Sequence, residues 1–187
     1  MRMKKNVIKR NRHRPTPFRI AAFNPIFRFN KNYFDREFTQ YVRFNSSCQY
    51  LIGINQADWN KLMGVCLSIF GPHDTSYRFA WRWCEDKRRI EICAYYYCNG
   101  KGWIAEHLGY MYPPLIYKVS LKLKARDGKI TAVFSMIDVN ARQPHQVTVH
   151  NVLNSSPRLG FGCGLYFGGN RKAPHDIEIY TSDIEVK

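Results

Sequence analysis

The stretch Tyr77-Arg78-Phe79-Ala80-Trp81-Arg82-Trp83-Cys84 decides the fold, because aromatic side chains occupy every second position along most of it. A period of two places successive side chains on opposite faces of an extended strand, whereas a helix repeats about every 3.6 residues. The aromatic face is expected to fill a core, which leaves Arg78 and Arg82 together on the other face. The stretch therefore predicts a β-strand with one apolar and one basic surface.

The same period continues through most of the chain that follows. Alternating segments cover residues 90–98, 115–123, 130–137, 146–153, 159–167 and 177–186. Asn99-Gly100 and Asp127-Gly128 stand where two of these segments end, and both dipeptides are favoured in tight hairpin turns. The one helical turn that the sequence predicts is residues 56–62. Many strands with little helix predict an all-β fold, a β-sandwich or jelly roll.

Length and composition set the broad class. A chain of 187 residues and 22.0 kDa is expected to form one domain with at most an appendage. It has no run of about 18 apolar residues, and its basic start lacks the apolar centre of a signal peptide, so we expect neither a membrane span nor secretion by that route. The six cysteines form no Cys-x-x-Cys pair, a pattern typical of free thiols in a reducing cytosol.

The positive charge is concentrated at the front of the chain. Residues 1–43 contain twelve Lys or Arg side chains against Asp35 and Glu37, and the formal net charge of the whole chain is +15. We therefore predict a basic, aromatic N-terminal arm over residues 1–43 and a β-sandwich domain over residues 44–187. The candidate partner-binding residues of the arm are Arg2, Lys4, Lys5, Lys9, Arg10, Arg12, Arg14, Phe18, Phe23, Phe27 and Phe29.

Two kinds of partner suit such an arm. Clustered Lys and Arg bind nucleic acid without sequence preference through the release of counterions. Alternatively, the arm becomes ordered within an acidic protein assembly. Its exposed aromatic side chains are also expected to dock on the chain's own domain or on a neighbour.

The tripeptide Pro-His-Asp occurs twice, as residues 72–74 and 174–176, each time before a predicted strand. Two such corners are either turns or parts of one site. Adjacent strand side chains point to opposite faces, so each corner offers a site only its His or its Asp. We accordingly predict no metal site, no cofactor and no catalytic residue here. The ligand-binding candidates are His73, Asp74, Arg78, Arg82, Tyr95, Tyr97, Asn170, His175 and Asp176.

Arginine beside tyrosine suits sugars, carboxylates or phosphates, through paired hydrogen bonds and stacking. Arg78 and Arg82 are expected to share a face with Tyr95 and Tyr97 of a partner strand. The alternative is ordinary cross-strand pairing with Glu91 on a solvated face. A lyase would use Arg, His and Tyr on one such surface, to which Tyr166 could also contribute, but no spacing requires it.

Several short segments combine uncommon residues in a fixed order. They are residues 56–62, 70–74, 76–82, 90–92, 94–97, 99–101, 166–170 and 173–176. Their order resembles that of a family of small bacteriophage proteins with no established activity. The resemblance covers about residues 45–187, and it departs from the family pattern at Pro72 and Ala80. It implies a concanavalin-A-like (lectin/glucanase-type) jelly roll, in agreement with the period of two.

Together, these observations predict a phage virion structural component that is assembled in the host cytoplasm. The N-terminal arm would anchor it to other virion proteins, and the lectin-like domain would bind surface glycans. One alternative is an intracellular phage protein that binds a sugar, a nucleotide or nucleic acid in the host. A further alternative is a jelly-roll enzyme that cleaves polysaccharides and depends on Arg78, Arg82 or His175.

Overall fold

In the computed structural model, which describes residues 3–15, 26–68, 71–154 and 158–184, the chain forms twelve β-strands. They are β1 (Lys4–Ile8), β2 (Ile26–Arg28), β3 (Tyr33–Phe44), β4 (Asn60–Cys66), β5 (Ser76–Cys84), β6 (Arg89–Tyr97), β7 (Trp103–Met111), β8 (Ile116–Arg126), β9 (Lys129–Asp138), β10 (His145–Val152), β11 (Leu159–Cys163) and β12 (Ile177–Ser182). Two short 3-10 helices, Ser46–Cys48 and Gly53–Asn55, lie between β3 and β4. A search of the described residues finds no helix that is long and apolar enough to cross a membrane.

The strands of the described ranges pair antiparallel into two six-stranded sheets. Sheet 1 has the order β1-β12-β3-β8-β9-β10, and sheet 2 has the order β2-β11-β4-β5-β6-β7. The two sheets enclose one large core between them, which confirms the predicted all-β sandwich.

The core confirms the alternation in β5. The side chains of Tyr77, Phe79 and Trp81 are completely buried between the sheets. Phe79 meets Phe134 of β9 edge to face, with 5.1 Å between the ring centroids, so the aromatic face of sheet 2 packs directly on sheet 1. Aromatic pairs in this geometry add about 0.5–1.5 kcal/mol beyond the area they bury.

Both predicted hairpin turns are present. Asn99 and Gly100 have φ angles of 54° and 69° between β6 and β7, and Asp127 and Gly128 have 51° and 78° between β8 and β9. Two successive residues with positive φ are what a tight hairpin of the mirror-image type requires.

The predicted helical turn over residues 56–62 is wrong. The 3-10 helix lies earlier, at Gly53–Asn55, and strand β4 begins at Asn60. Lys61 donates its backbone N–H to the Tyr166 carbonyl at 2.7 Å and accepts the Tyr166 N–H at 3.0 Å. Because β4 also pairs with β5 and β11, contacts on both sides fix an extended conformation that outweighs the local sequence preference.

The predicted boundary between residues 43 and 44 requires correction, because it falls inside β3. Strand β3 lies in the interior of sheet 1, between β12 and β8, and β1 pairs with β12. The apolar side chains of Ile8, Phe38 and Val42 are buried in the core, which is why these segments fold with the domain. Deletion of residues 1–43 would thus remove β1, β2 and nearly all of β3, and would leave no intact sandwich.

The arm residues have different positions. Phe27 and Phe29 are buried in the core, so they are not free to bind a partner. Lys4 and Lys5 are exposed on β1, and Lys5 pairs with Glu178 of β12 at 2.5 Å. Arg2, Phe18 and Phe23 lie outside the described residues.

Candidate functional site

A groove with a volume of about 990 Å³ crosses the outer face of sheet 2, away from the sandwich core. All six strands of this sheet contribute lining residues, from Ile26 on β2 to Trp103 on β7. A volume of this size is at the upper end of the range for ligand sites, so the groove can hold more than a single small molecule. The basic and aromatic side chains in its lining include Arg14, Lys61, His73, Arg78, Tyr95, Tyr97, Trp103 and Tyr166.

Arg78 forms the floor of the groove. Strand alternation turns it away from the core, where the register places it between Gly64 of β4 and Tyr95 of β6. Its guanidinium carbon lies 5.2 Å from the centre of the Tyr95 ring and 5.6 Å from that of Tyr97. Arg78 is only 7% exposed, and its Nε finds no hydrogen-bond partner among the described residues. A buried cationic N–H in this state favours an anionic acceptor.

Gly64 makes room for this arginine. A Cβ atom at Gly64 would lie 2.5 Å from Arg78 Cα and 2.8 Å from Arg78 Cγ, and it would also collide with the Tyr77 carbonyl oxygen. Side-chain atoms do not approach so closely, and only glycine therefore lets the Arg78 side chain pass across β4 in this position.

Lys61 is a second cation in the groove, one strand away from Arg78. Its Nζ lies 4.0 Å from the centre of the Tyr95 ring and donates a hydrogen bond of 2.6 Å to the Trp59 carbonyl. Burial, followed by the nearby charge of Arg78, lowers the pKa of Lys61 to about 8. At pH 7, a pKa of about 8 leaves roughly a tenth of this amine uncharged and able to accept a proton.

A chain of polar groups runs along the floor through two tyrosines. The Tyr95 and Tyr97 hydroxyl oxygens are 3.4 Å apart, and His73 Nδ1 lies 3.1 Å from the Tyr97 hydroxyl. Burial and the contact with Tyr97 raise the pKa of Tyr95, which keeps its phenol protonated. At one end of the groove, the half-exposed Trp103 ring stacks on Tyr95 with 5.5 Å between centroids.

The structure separates the two Pro-His-Asp corners. In the first, His73 lines the groove, while Asp74 takes part in a turn in which its carbonyl accepts the Gly100 N–H at 2.9 Å. In the second, neither side chain lines the groove: His175 Nε2 lies 2.8 Å from the Ser47 carbonyl oxygen, and Asp176 accepts from Lys9 Nζ at 2.7 Å. The corners do not form a common site.

The other ligand candidates divide in the same way. Arg78, Tyr95, Tyr97 and Asn170 line the groove together with His73. Arg82 does not, because its Nε donates to Glu91 Oε2 at 2.7 Å and its guanidinium covers the Trp59 ring at 4.3 Å. Cross-strand pairing with Glu91 is thus correct for Arg82, and Arg78 has a different environment although it lies on the same strand face.

Sequence reasoning missed Lys61 and Trp103. The register between β4 and β5 shifts between Lys61 and Met63, so a bulge breaks the period of two at the very point where Lys61 enters the groove. Trp103 follows the hairpin at Asn99-Gly100, and the length of that turn was the one signal that could have paired it with Tyr97.

Within the part of the chain that the structure describes, no three His, Cys, Asp or Glu side chains are grouped so that they could hold a metal ion. The six cysteines are all free.

Comparison with known proteins identifies the fold. No protein-family model matches the chain, and no curated protein matches it either. Among solved structures, it is similar to the alginate lyase vAL-1 from Chlorella virus, with a TM-score of 0.52 and 14% identity over 95% of this chain and 81% of that one.

Two further structures are more distantly similar. The alginate lyase PA1167 from Pseudomonas aeruginosa has a TM-score of 0.46 and 12% identity, over 83% of this chain and 65% of that one. Winged bean acidic lectin complexed with methyl-α-D-galactose has a TM-score of 0.34 and 13% identity, over 83% and 75%. At 14% identity, the similarity to the Chlorella virus protein is one of fold, and together with the two antiparallel sheets it confirms the predicted jelly-roll sandwich.

Proposed function

We propose that this protein binds an acidic polysaccharide, a chain of uronate sugars, in the groove of sheet 2 and cleaves it by β-elimination. The observation that carries the proposal is Arg78, a buried cation beside the rings of Tyr95 and Tyr97. Its Nε has no hydrogen-bond partner among the described residues. A uronate carboxylate supplies the missing acceptor and the compensating charge.

The charge of the groove selects the ligand class. Arg14, Lys61 and Arg78 all line it, and the one carboxylate among its described lining residues belongs to Asp58. That carboxylate is already engaged, since it accepts the Asn170 backbone N–H at 3.3 Å. A neutral sugar would leave the buried guanidinium uncompensated, which is costly, and the groove therefore favours an anionic chain.

The same side chains can carry out an elimination. Arg78 binds the carboxylate and stabilises the negative charge that develops when the neighbouring C5 proton leaves. The uncharged form of Lys61 accepts that proton; the C5–H electron pair forms the C4–C5 double bond, and the glycosidic bond from C4 to oxygen breaks. The protonated Tyr95 hydroxyl donates a proton to the departing oxygen. No water is consumed, and the product carries an unsaturated uronate at its new end.

The structural comparison is compatible with this proposal without carrying it. The Chlorella virus protein is an alginate lyase by its title, and it has the same fold at 14% identity. A shared fold hosts many activities, so the proposal rests on the groove.

The decisive experiment compares polyuronates with neutral glucans. The full chain is incubated with alginate, polyglucuronate and a neutral β-glucan, and the new double bond is followed by its ultraviolet absorbance. We expect absorbance to grow with at least one polyuronate and not with the glucan. Arg78→Ala should lower kcat/KM by about 100-fold, the usual order for loss of one charge-stabilising donor.

Lys122→Ala is the matched control, because Lys122 is a half-exposed cation on the outer face of sheet 1, and its removal should not change activity. Binding of polyuronate without a new double bond would limit the function to recognition. Equal behaviour of the two variants would exclude the groove as the site.

Membership of a phage virion is a separate proposal, made from the sequence resemblance and the basic front segment. Mass spectrometry of purified particles tests it, since a virion component is present in stoichiometric amounts and an intracellular protein is absent.

A further inference from the structure

The basic segment after β1 runs along the domain as a strap, which we define as residues 9–14. Three backbone hydrogen bonds tie it to the loop between β11 and β12. The Asn11 N–H donates to the Ala173 carbonyl at 2.9 Å, the Ala173 N–H to Arg12 at 3.0 Å, and the Phe167 N–H to His13 at 2.7 Å. The strap is consequently part of the domain surface.

The second Pro-His-Asp corner fixes the beginning of the strap. Asp176 accepts hydrogen bonds from Lys9 Nζ at 2.7 Å and from the Arg10 backbone N–H at 2.9 Å. These two contacts lower the pKa of Asp176. The second Pro-His-Asp corner does not line the groove, but it fixes the beginning of the strap, whose end does line it.

The end of the strap reaches the groove beside Tyr166. The His13 ring stacks on the Tyr166 ring with 4.9 Å between centroids and 8° between planes. The Arg14 guanidinium carbon lies 5.8 Å from the centre of the same ring, and Arg14 lines the groove. Tyr166 is in turn bonded through its backbone to Lys61.

The cations of the groove therefore follow one another from its floor to its edge. Arg78 lies on β5, Lys61 on β4, and Arg14 beyond Tyr166, on the side opposite Trp103 of β7. Arg78 and Arg14 therefore enter the groove from different elements, Arg78 from β5 and Arg14 from the strap beside Tyr166.

We propose that Arg14 and Tyr166 form a second subsite that binds an anionic sugar. The groove would then select a run of consecutive uronates over isolated acidic sugars in a neutral chain. Arg14 binds the carboxylate of a sugar further along the chain, beyond the immediate neighbour of the one on Arg78, and the Tyr166 ring supports the chain between them. The strap holds Arg14 in place before the ligand arrives, which lowers the entropy cost of binding. This inference rests on the proposed function, because it assigns a role within the same groove.

Affinity measured against chain length tests the subsite. Calorimetric Kd values are obtained with the full chain for oligouronates from the disaccharide to the octasaccharide. We expect Arg14→Ala to weaken binding of the longer oligomers by about tenfold, the order of one charge-assisted contact, and to leave the disaccharide unchanged. Arg14→Lys should restore part of the loss, since the positive charge returns.

Arg12→Ala is the matched control, since Arg12 is exposed on the same strap but does not line the groove. The subsite is excluded if Arg14→Ala and Arg12→Ala give the same Kd at every length, or if Arg14→Ala weakens all lengths equally. The proposed function fails separately, if the wild-type chain binds no oligouronate or Arg78→Ala binds all of them normally. In that case the subsite proposal is excluded as well.

Discussion

The outer faces of the two sheets carry basic side chains in opposite settings. On sheet 1, Lys122 and Lys124 lie 4.0 Å and 3.6 Å from the carboxylate of Asp35, and all three side chains are about half exposed. On sheet 2, Arg78 is 7% exposed, and its Nε has no described partner. Solvated pairs of the first kind contribute little to stability, whereas a buried cation is costly unless something compensates it.

Neighbouring side chains produce this difference. The outer face of sheet 2 has a small cluster of its own, in which Ala80, Cys93, Tyr95 and Tyr97 are buried outside the main core. This cluster excludes water from the strand positions around Arg78. The outer face of sheet 1 carries polar side chains between its lysines, as at Ser120 and Thr131. A cation therefore indicates a site by its surroundings, and the net charge of the chain does not locate one.

Of the substitutions considered for sheet 2, Gly64→Ala should have the largest effect on the buried environment of Arg78. The new Cβ would collide with the Tyr77 carbonyl and with Arg78, and no flexible side-chain end is available to move aside. We expect a loss of about 3 kcal/mol in the free energy of unfolding, the upper range for overpacking, together with weaker polyuronate binding. Urea unfolding followed by tryptophan fluorescence measures the loss.

Gly128→Ala is the control on sheet 1, in the turn between β8 and β9. Its φ of 78° strains an alanine, but no atom lies within 4 Å of the added Cβ. Strain alone should cost about 1 kcal/mol. If the two variants lose equal stability, Gly64 has no special role in making room for Arg78.

Lys61→Met should stabilise the protein at neutral pH. The pKa of Lys61 is lowered to about 8 in the folded state from the usual 10.5, so the unfolded chain binds more protons between these values. Stability of the wild type therefore rises with pH across this window, and below pH 8 the folded state carries the full penalty of a buried charge. Because one pKa unit corresponds to about 1.4 kcal/mol, we expect Lys61→Met to gain on the order of 3 kcal/mol at pH 7.

The gain should shrink as the pH rises from 8 towards 10.5, since the folded wild-type protein then releases the buried proton while the unfolded chain still keeps it. Lys122→Met, on the solvated face of sheet 1, provides the comparison and should show no such trend. Urea unfolding of both variants and the wild type at several pH values measures the effect. A gain that stays constant with pH would contradict a buried charge at Lys61.

The sequence predicts the fold better than the site. Alternation in β5 and the positive-φ turns at Asn99-Gly100 and Asp127-Gly128 depend on local geometry, and the structure confirms them. The sequence pattern predicts an arm where β3 lies, because its aromatic and charged residues indicate no partner strand, whereas in the structure β8 and β12 lie on either side of it. Pairing over such sequence distances is not visible in local patterns.

The candidate site was predictable only in part. Strand alternation placed Arg78 with Tyr95 and Tyr97, whose neighbourhood depends on one hairpin. Lys61 was hidden by a bulge, and Arg14 reaches the groove through a strap whose contacts lie about 150 residues away along the chain. No local spacing encodes either position.

Substitutions in the two Pro-His-Asp corners should have the smallest effects. They again compare a position in the groove of sheet 2 with one near sheet 1. His73→Ala removes the contact with the Tyr97 hydroxyl in the groove, and we expect about a fivefold loss of polyuronate affinity, the order of a single hydrogen bond. His175→Ala removes the contact with the Ser47 carbonyl near β12 of sheet 1, and it should leave affinity unchanged. Its cost is a stability loss of about 0.5–1 kcal/mol, which thermal unfolding detects. A loss of affinity in His175→Ala equal to that in His73→Ala would mean that the identical tripeptides act alike, and that the environment of each sheet does not decide their role.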